Sequence, residues 1–136
     1  MKDNHWIHYI TNPMAVKSIY NHEDIPDLHQ IIIENILLGF NLNYMNIIFH
    51  LPFPSHPPKK FIEKKYNIIY GKISISDIES LKIEKKTVYT SKENYNLYFS
   101  HINGNICIKI SGSLSTNILI TARFVSLLDL KGGHIE

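Results

Sequence analysis

After Leu28 the apolar residues of this 136-residue chain recur with a period of two, which limits the fold more than any other feature. Over 43–51 one face reads Met45, Ile47, Phe49 and Leu51, and the other reads Tyr44, Asn46, Ile48 and His50. Successive side chains of an extended strand point to opposite faces, so this spacing gives a strand with one apolar side. Such strands bury that side only by pairing into a sheet and folding the sheet over a core.

The rhythm continues to residue 128. Over 67–75, Ile69, Gly71, Ile73 and Ile75 alternate with Ile68, Tyr70, Lys72 and Ser74, and over 81–88 apolar and charged residues alternate as in a half-exposed strand. Tyr95, Leu97, Phe99 and His101 lead into Asn103-Gly104, a pair suited to the positive φ of a two-residue hairpin. The partner strand over 105–111 sets Ile106, Ile108 and Ile110 on one face, and a strand over 118–128 turns Ile118, Ile120, Ala122 and Phe124 inward. Upstream, the β-branched run 31–38 is bounded by Gly39 and reads as a strand, with 39–43 as a hairpin loop. Four prolines keep 52–58 out of any sheet ladder.

Helical spacing occurs near the beginning only. Thr11-Asn12-Pro13 resembles a cap with proline at the first helical position, and Val16, Ile19 and Tyr20 then share one face of a short helix near 12–20. About eight strands and one helix joined by short connections predict an α+β domain that is mostly antiparallel β. A curled sheet and a β-sandwich both satisfy that pattern, with the short N-terminal helix at one end. Residues 1–136 form one domain with a mobile tail at 131–136, and the expected core holds Met45, Ile47, Phe49, Ile69, Ile73, Ile106, Ile108 and Phe124.

Charge and composition exclude several functions. Lys+Arg 14 against Asp+Glu 12, with Arg123 the lone arginine, lacks the basic face of a nucleic-acid binder. Apolar runs fall short of a membrane span, and Met1–Trp6 lacks an apolar signal region, so a reducing cytoplasm is the expected compartment. Abundant Ile, Asn, Lys and Tyr match an AT-rich coding sequence and weaken any argument from a single Lys or Asn.

Catalytic chemistry finds no set to carry it. The eight histidines contain no tight ligand pair of the kind a zinc site uses, so neither metal nor cofactor is expected. His22, His29 and His50 are the ones to inspect should a metal appear. Cys107 sits among isoleucines in a strand, away from the helix N-terminus or fixed cation that would activate it. Ser55-His56 lacks a glycine elbow, and no phosphate-binding glycine loop occurs. Two loops remain as binding surfaces. Glu23, Asp24 and Asp27 form an acidic turn within five residues, and Phe53-Pro54-Ser55-His56-Pro57-Pro58 is stiff and partly apolar. With 31–38 and 39–43 read as above, both loops fall at the sheet end opposite Gly39.

The order of several short features resembles the bacterial immunity protein 50 family. It runs from Trp6 through Ser18-Ile19-Tyr20, Ile25-Pro26-Asp27-Leu28 and the turn at Gly39. It continues through Phe49-His50-Leu51-Pro52, Pro57-Pro58-Lys59-Lys60 and a strand around Asn67, and ends at Ile110-Ser111-Gly112. Phe61 stands where that family tends to have tryptophan, and no second tryptophan lies near 81–87. The resemblance implies a cytoplasmic, non-enzymatic protein that blocks a cognate bacterial toxin of a polymorphic toxin system, with no nucleic acid or membrane as partner. On that reading Glu23, Asp24 and Asp27 steer the encounter, while Phe53 and His56 supply contact, with Phe53 the apolar anchor. Self-association into a homodimer stays open. The alternative is a small-ligand or carbohydrate-binding β-sandwich using Tyr44, Tyr66, Tyr70, Tyr95 and Tyr98; an enzyme is a third reading.

Overall fold

A computed structural model describes residues 5–21, 24–85, 93–114 and 116–135. The expected period-two segments form strands β1 (Ile33–Leu38), β2 (Tyr44–Leu51), β3 (Ile68–Lys85), β4 (Tyr95–Ile102), β5 (Asn105–Gly112) and β6 (Thr116–Gly133). Helix α1 covers Met14–Tyr20, and a single-turn helix α2 covers Lys59–Glu63. All strand pairs are antiparallel, in one sheet of order β1-β2-β3-β6-β5-β4. No helix among the described residues is long and apolar enough to cross a membrane.

Six strands are found among the described residues where about eight were expected: of the seven segments named from the sequence, those near 67–75 and 81–88 are one strand. β3 and β6 pair along nearly their whole lengths, from Ile68↔Gly133 to Lys85↔Thr116. That pairing also corrects the expected mobile tail, since Lys131, Gly132 and Gly133 continue the ladder opposite Tyr70, Ile69 and Ile68. Thr87 and Val88 lie outside the described residues.

The sheet curls. Ile31, just ahead of edge strand β1, bridges to Tyr95 of the opposite edge strand β4, with both backbone N–H···O distances at 2.9 Å. In a flat sheet of six strands those edges would stand about 24 Å apart. The bend falls where Asp77 takes φ 53° and the inward side switches phase. Ile69, Ile73 and Ile75 point inward before it, and Ile78 packs against the core beyond it. Across the ladder, Ala122 and Val125 are buried while Arg123 and Phe124 between them are exposed. Phe124 is therefore corrected from core to surface, at 46% exposure, and Val125 and Leu127 replace it inside. A strict period of two misses this phase change, which both strands make together with no register shift between Ile75↔Val125 and Ile78↔Ala122.

The other seven expected core residues are buried, with Met45, Ile47, Phe49, Ile69, Ile73 and Ile108 fully enclosed and Ile106 at 8% exposure. The N-terminal segment plugs the curl. Trp6 meets Phe49 edge-on with centroids 6.2 Å apart, Tyr9 lies 5.6 Å from Phe99, and Ile10 forms a parallel bridge to Val125. Helix α1 turns Val16, Ile19 and Tyr20 inward as its spacing predicts. Its start differs from the expected cap: Pro13 occupies the cap position, and Asn12 instead exchanges hydrogen bonds with the Leu127 backbone, both at 2.7 Å.

A buried carboxylate ties β4 to the β5–β6 turn. Glu93 accepts hydrogen bonds from Leu114 N–H (2.8 Å), Thr116 N–H (3.3 Å), the Thr116 hydroxyl and the Tyr95 hydroxyl (3.4 Å). Gly112 makes room for it, since a Cβ there would lie 2.3 Å from Glu93 Oε1. Burial, then the Glu93 charge and hydrogen bond, push the Tyr95 hydroxyl above its usual pKa of 10.0, with the Thr116 hydrogen bond opposing.

Phe49→Ala should cost about 3–5 kcal/mol in urea unfolding, whereas Phe124→Ala should cost under about 1 kcal/mol. Glu93→Ala strands buried donors and should cost roughly 2–3 kcal/mol in the same assay. With its folded pKa raised, Tyr95 leaves stability intact below the unfolded value. The unfolded phenol ionises first above about pH 10, so stability should fall as pH rises through the folded pKa. Alkaline melts of Tyr95→Phe should lack that part of the loss.

Candidate functional site

The antiparallel β1–β2 pairing sets both singled-out loops at one end of the sheet. Ile33 pairs with Phe49, and the His50 N–H donates to the Ile32 carbonyl at 3.0 Å, so the chain enters β1 and leaves β2 side by side. The Tyr20 hydroxyl at the end of α1 donates to the Pro52 carbonyl at 2.6 Å, joining the helix that precedes the acidic turn to the first residue of the proline loop.

Two N-terminal side chains fix the acidic turn. Trp6, at 2% exposure, donates its indole N–H to the Pro26 carbonyl at 2.9 Å. His5 Nε2 lies 3.0 Å from the Ile25 carbonyl and 3.2 Å from Asp27 Oδ1. Because His5 Nδ1 accepts from the Ile7 N–H (3.3 Å), the neutral ring carries its proton on Nε2 and donates towards both oxygens. The turn backbone is thus held while Asp24 stays exposed and the Asp27 side chain is 59% exposed. Beyond the turn, the Leu28 carbonyl accepts from Leu97 N–H at 2.8 Å and anchors it on β4. Glu23 lies outside the described residues.

Beside Asp27 a cleft of about 380 Å³ opens between the clamp and β4, lined by His5, Trp6, His29, Tyr98 and Phe99 among others. The His29 and Tyr98 rings sit 5.3 Å apart on its wall. Across α1 the proline loop is firmly seated, with Pro54 buried and His56 exposed. Phe53 is half-buried against the core, 6.3 Å from Phe61, which in turn meets Tyr66 at 5.4 Å. Part of the Phe53 ring is therefore committed to holding α2, and only the remainder is offered to solvent.

These groups form an acidic rim with fixed hydrogen-bond acceptors. Among the described residues no three His, Cys, Asp or Glu side chains gather to hold a metal. His50 lies elsewhere, with Nε2 2.7 Å from Glu34 Oε2 and its ring 4.8 Å from Tyr70, and His22 is outside the described residues. The five tyrosines of the carbohydrate alternative are dispersed: Tyr44 and Tyr70 occupy opposite ends of the β2–β3 pairing, Tyr66 meets His134, Tyr95 binds Glu93, and Tyr98 faces His29. Sequence reasoning missed the roles of His5 and Trp6. Trp6, the lone tryptophan, was the available signal, but spacing alone does not tell which carbonyl it meets.

No curated protein and no solved structure matches this chain. The family model for immunity protein 50 matches residues 12–133, a span that holds the acidic turn, the proline loop and all six strands. With the match covering nearly the whole domain, the chain belongs to the immunity protein 50 family.

Proposed function

We propose that this protein neutralises a cognate bacterial toxin in the cytoplasm by stoichiometric binding, with no turnover, metal or cofactor of its own. The observation that carries the reading is the family match over 12–133. The clamped acidic turn supports a binding surface at this end of the sheet. A loop whose backbone is already ordered loses little entropy on association. Asp24 and Asp27, preceded in the sequence by Glu23, give this end a local negative field although the chain carries +2 overall, and local field steers an encounter more than net charge does. A toxin with a basic cleft, such as a nuclease, fits that field. The exposed part of Phe53 and His56 supply the contact flanking the carboxylates. Assembly as a homodimer is a separate proposal, and neutralisation does not depend on it.

Asp24→Lys together with Asp27→Lys should slow association with the toxin encoded beside this gene, and the difference should shrink at high salt. Phe53→Ala should act on dissociation, accelerating it about tenfold or more, with a thermal melt run alongside because the ring also packs on Phe61. Trp6→Phe keeps an aromatic ring but loses the bond to Pro26 and part of the indole's bulk in the core; it should cost about 2 kcal/mol or more and raise amide exchange at 24–28. Co-expression with the toxin decides the reading: if the charge and Phe53 variants protect cells as fully as the parent at low expression, this surface is not the interface.

A further inference from the structure

The far end of the same sheet carries an apolar surface that nothing among the described residues covers. At the β1–β2 turn Phe40 is 85% exposed and Leu42 52%, with Leu37 (54%) and Tyr44 (38%) beside them. Tyr44, Ser76 and Phe124 are successive cross-strand partners on β2, β3 and β6, and each adjoins one residue of the buried row Met45, Ile75 and Val125, so they share the outer face. The Tyr44 ring lies flat over Gly39, where a Cβ would come within 2.2 Å of it. Two strand spacings put Tyr44 and Phe124 about 10 Å apart, with the small Ser76 between them. The neighbouring row is Leu37, Asn46, Ser74 and Ser126. The result is a trough floored by serines and walled by Leu37 and Tyr44 on one side and by Phe124 on the other. Asn46 Oδ1 is buried beneath that floor with no hydrogen-bond partner.

We propose that this outer face is the contact surface for a second copy of the chain, packed about a two-fold axis. The face is complementary to itself in shape, since a Phe124 ridge fits the serine trough of a facing copy and receives its counterpart in return. Charge points the same way. Asp77 and Arg123 fall opposite one another between the Ser76↔Phe124 and Ile78↔Ala122 pairs, both exposed, yet neither forms an ion pair among the described residues. Arg123 instead lies 5.7 Å over the Phe124 ring. Across a two-fold axis each acid meets the other copy's base. Phe40, Leu42, Leu37, Tyr44 and Phe124 together expose on the order of 500 Å² of apolar surface, at the upper end for a monomer and most of the apolar part of a standard interface of about 800 Å² per partner. The hairpin tip is opposite the acidic turn, so pairing here leaves the proposed toxin-binding end open. Only that last point rests on the immunity reading.

Sedimentation of the full chain over roughly 1–200 µM should show a species of twice 15.8 kDa that dissociates on dilution. Phe40→Ser, at an almost fully exposed position, should keep the parent melting profile and raise the dissociation constant at least tenfold. Arg123→Asp and Asp77→Lys should each be monomeric alone, and an equimolar mixture of the two should recover the dimer. A parent that is monomeric throughout, or a dimer indifferent to all three substitutions, overturns the inference. A monomeric parent whose Phe40→Ser variant loses toxin protection overturns it as well and gives the face to the toxin. Toxin protection by a monomeric Phe40→Ser variant tests the immunity reading separately, because that reading survives loss of the dimer.

Discussion

The β3–β6 ladder is the constraint on which the rest of the molecule depends. Two 18-residue strands pair antiparallel through the middle of the sheet, and each half of that pair carries a different neighbour. The early half of β3 holds β2 and through it β1, whereas the early half of β6 holds β5 and through it β4. Where the inward phase switches around Asp77 and Arg123-Phe124, the two halves turn towards one another and the curl forms. A straight ladder of the same length would leave two apolar faces half-covered.

Curling creates the interior that the N-terminal segment fills, and the filling positions the proposed binding end. Trp6 is at once a core ring against Phe49 and the donor that holds Pro26, so burial of the plug and ordering of the acidic turn are one event. Tyr20 does the same for the proline loop, its ring buried and its hydroxyl on Pro52. In both cases a large aromatic body supplies the hydrophobic gain and its polar tip fixes a loop carbonyl. One carbonyl of each loop is therefore held by a ring of the core, although neither loop belongs to the sheet.

Unsatisfied groups mark where the chain stops accounting for itself. Glu93 is buried but fully engaged by Thr116, Leu114 and Tyr95, so it belongs to the scaffold. Asn46 Oδ1 and His50 Nδ1, on the outer face of β2, are buried and lack partners, and the exposed aromatic and aliphatic residues of the hairpin lie near the first of them. Elsewhere on the sheet exposed apolar residues stand among charges, as Leu119 does between Lys82 and Lys109.

Much of the fold was legible in the residues alone. Alternation over 43–51 and 105–111 identified strands and their buried faces, Asn103-Gly104 identified its hairpin through the positive φ of both residues, and Val16, Ile19 and Tyr20 identified the helix face. These are local properties, governed by side-chain direction and backbone sterics within a few residues. The acidic turn and the proline loop were legible as candidate surfaces for the same reason. Tertiary structure alone decided that 67–85 is one strand, that Phe124 faces solvent, that 131–133 extend the ladder, and that His5 and Trp6 hold the turn 20 residues away. Each of those outcomes depends on which distant backbone groups find one another. Two strands switch their inward phase together only once they are paired, and an indole N–H selects its carbonyl only once the curl has brought the two together.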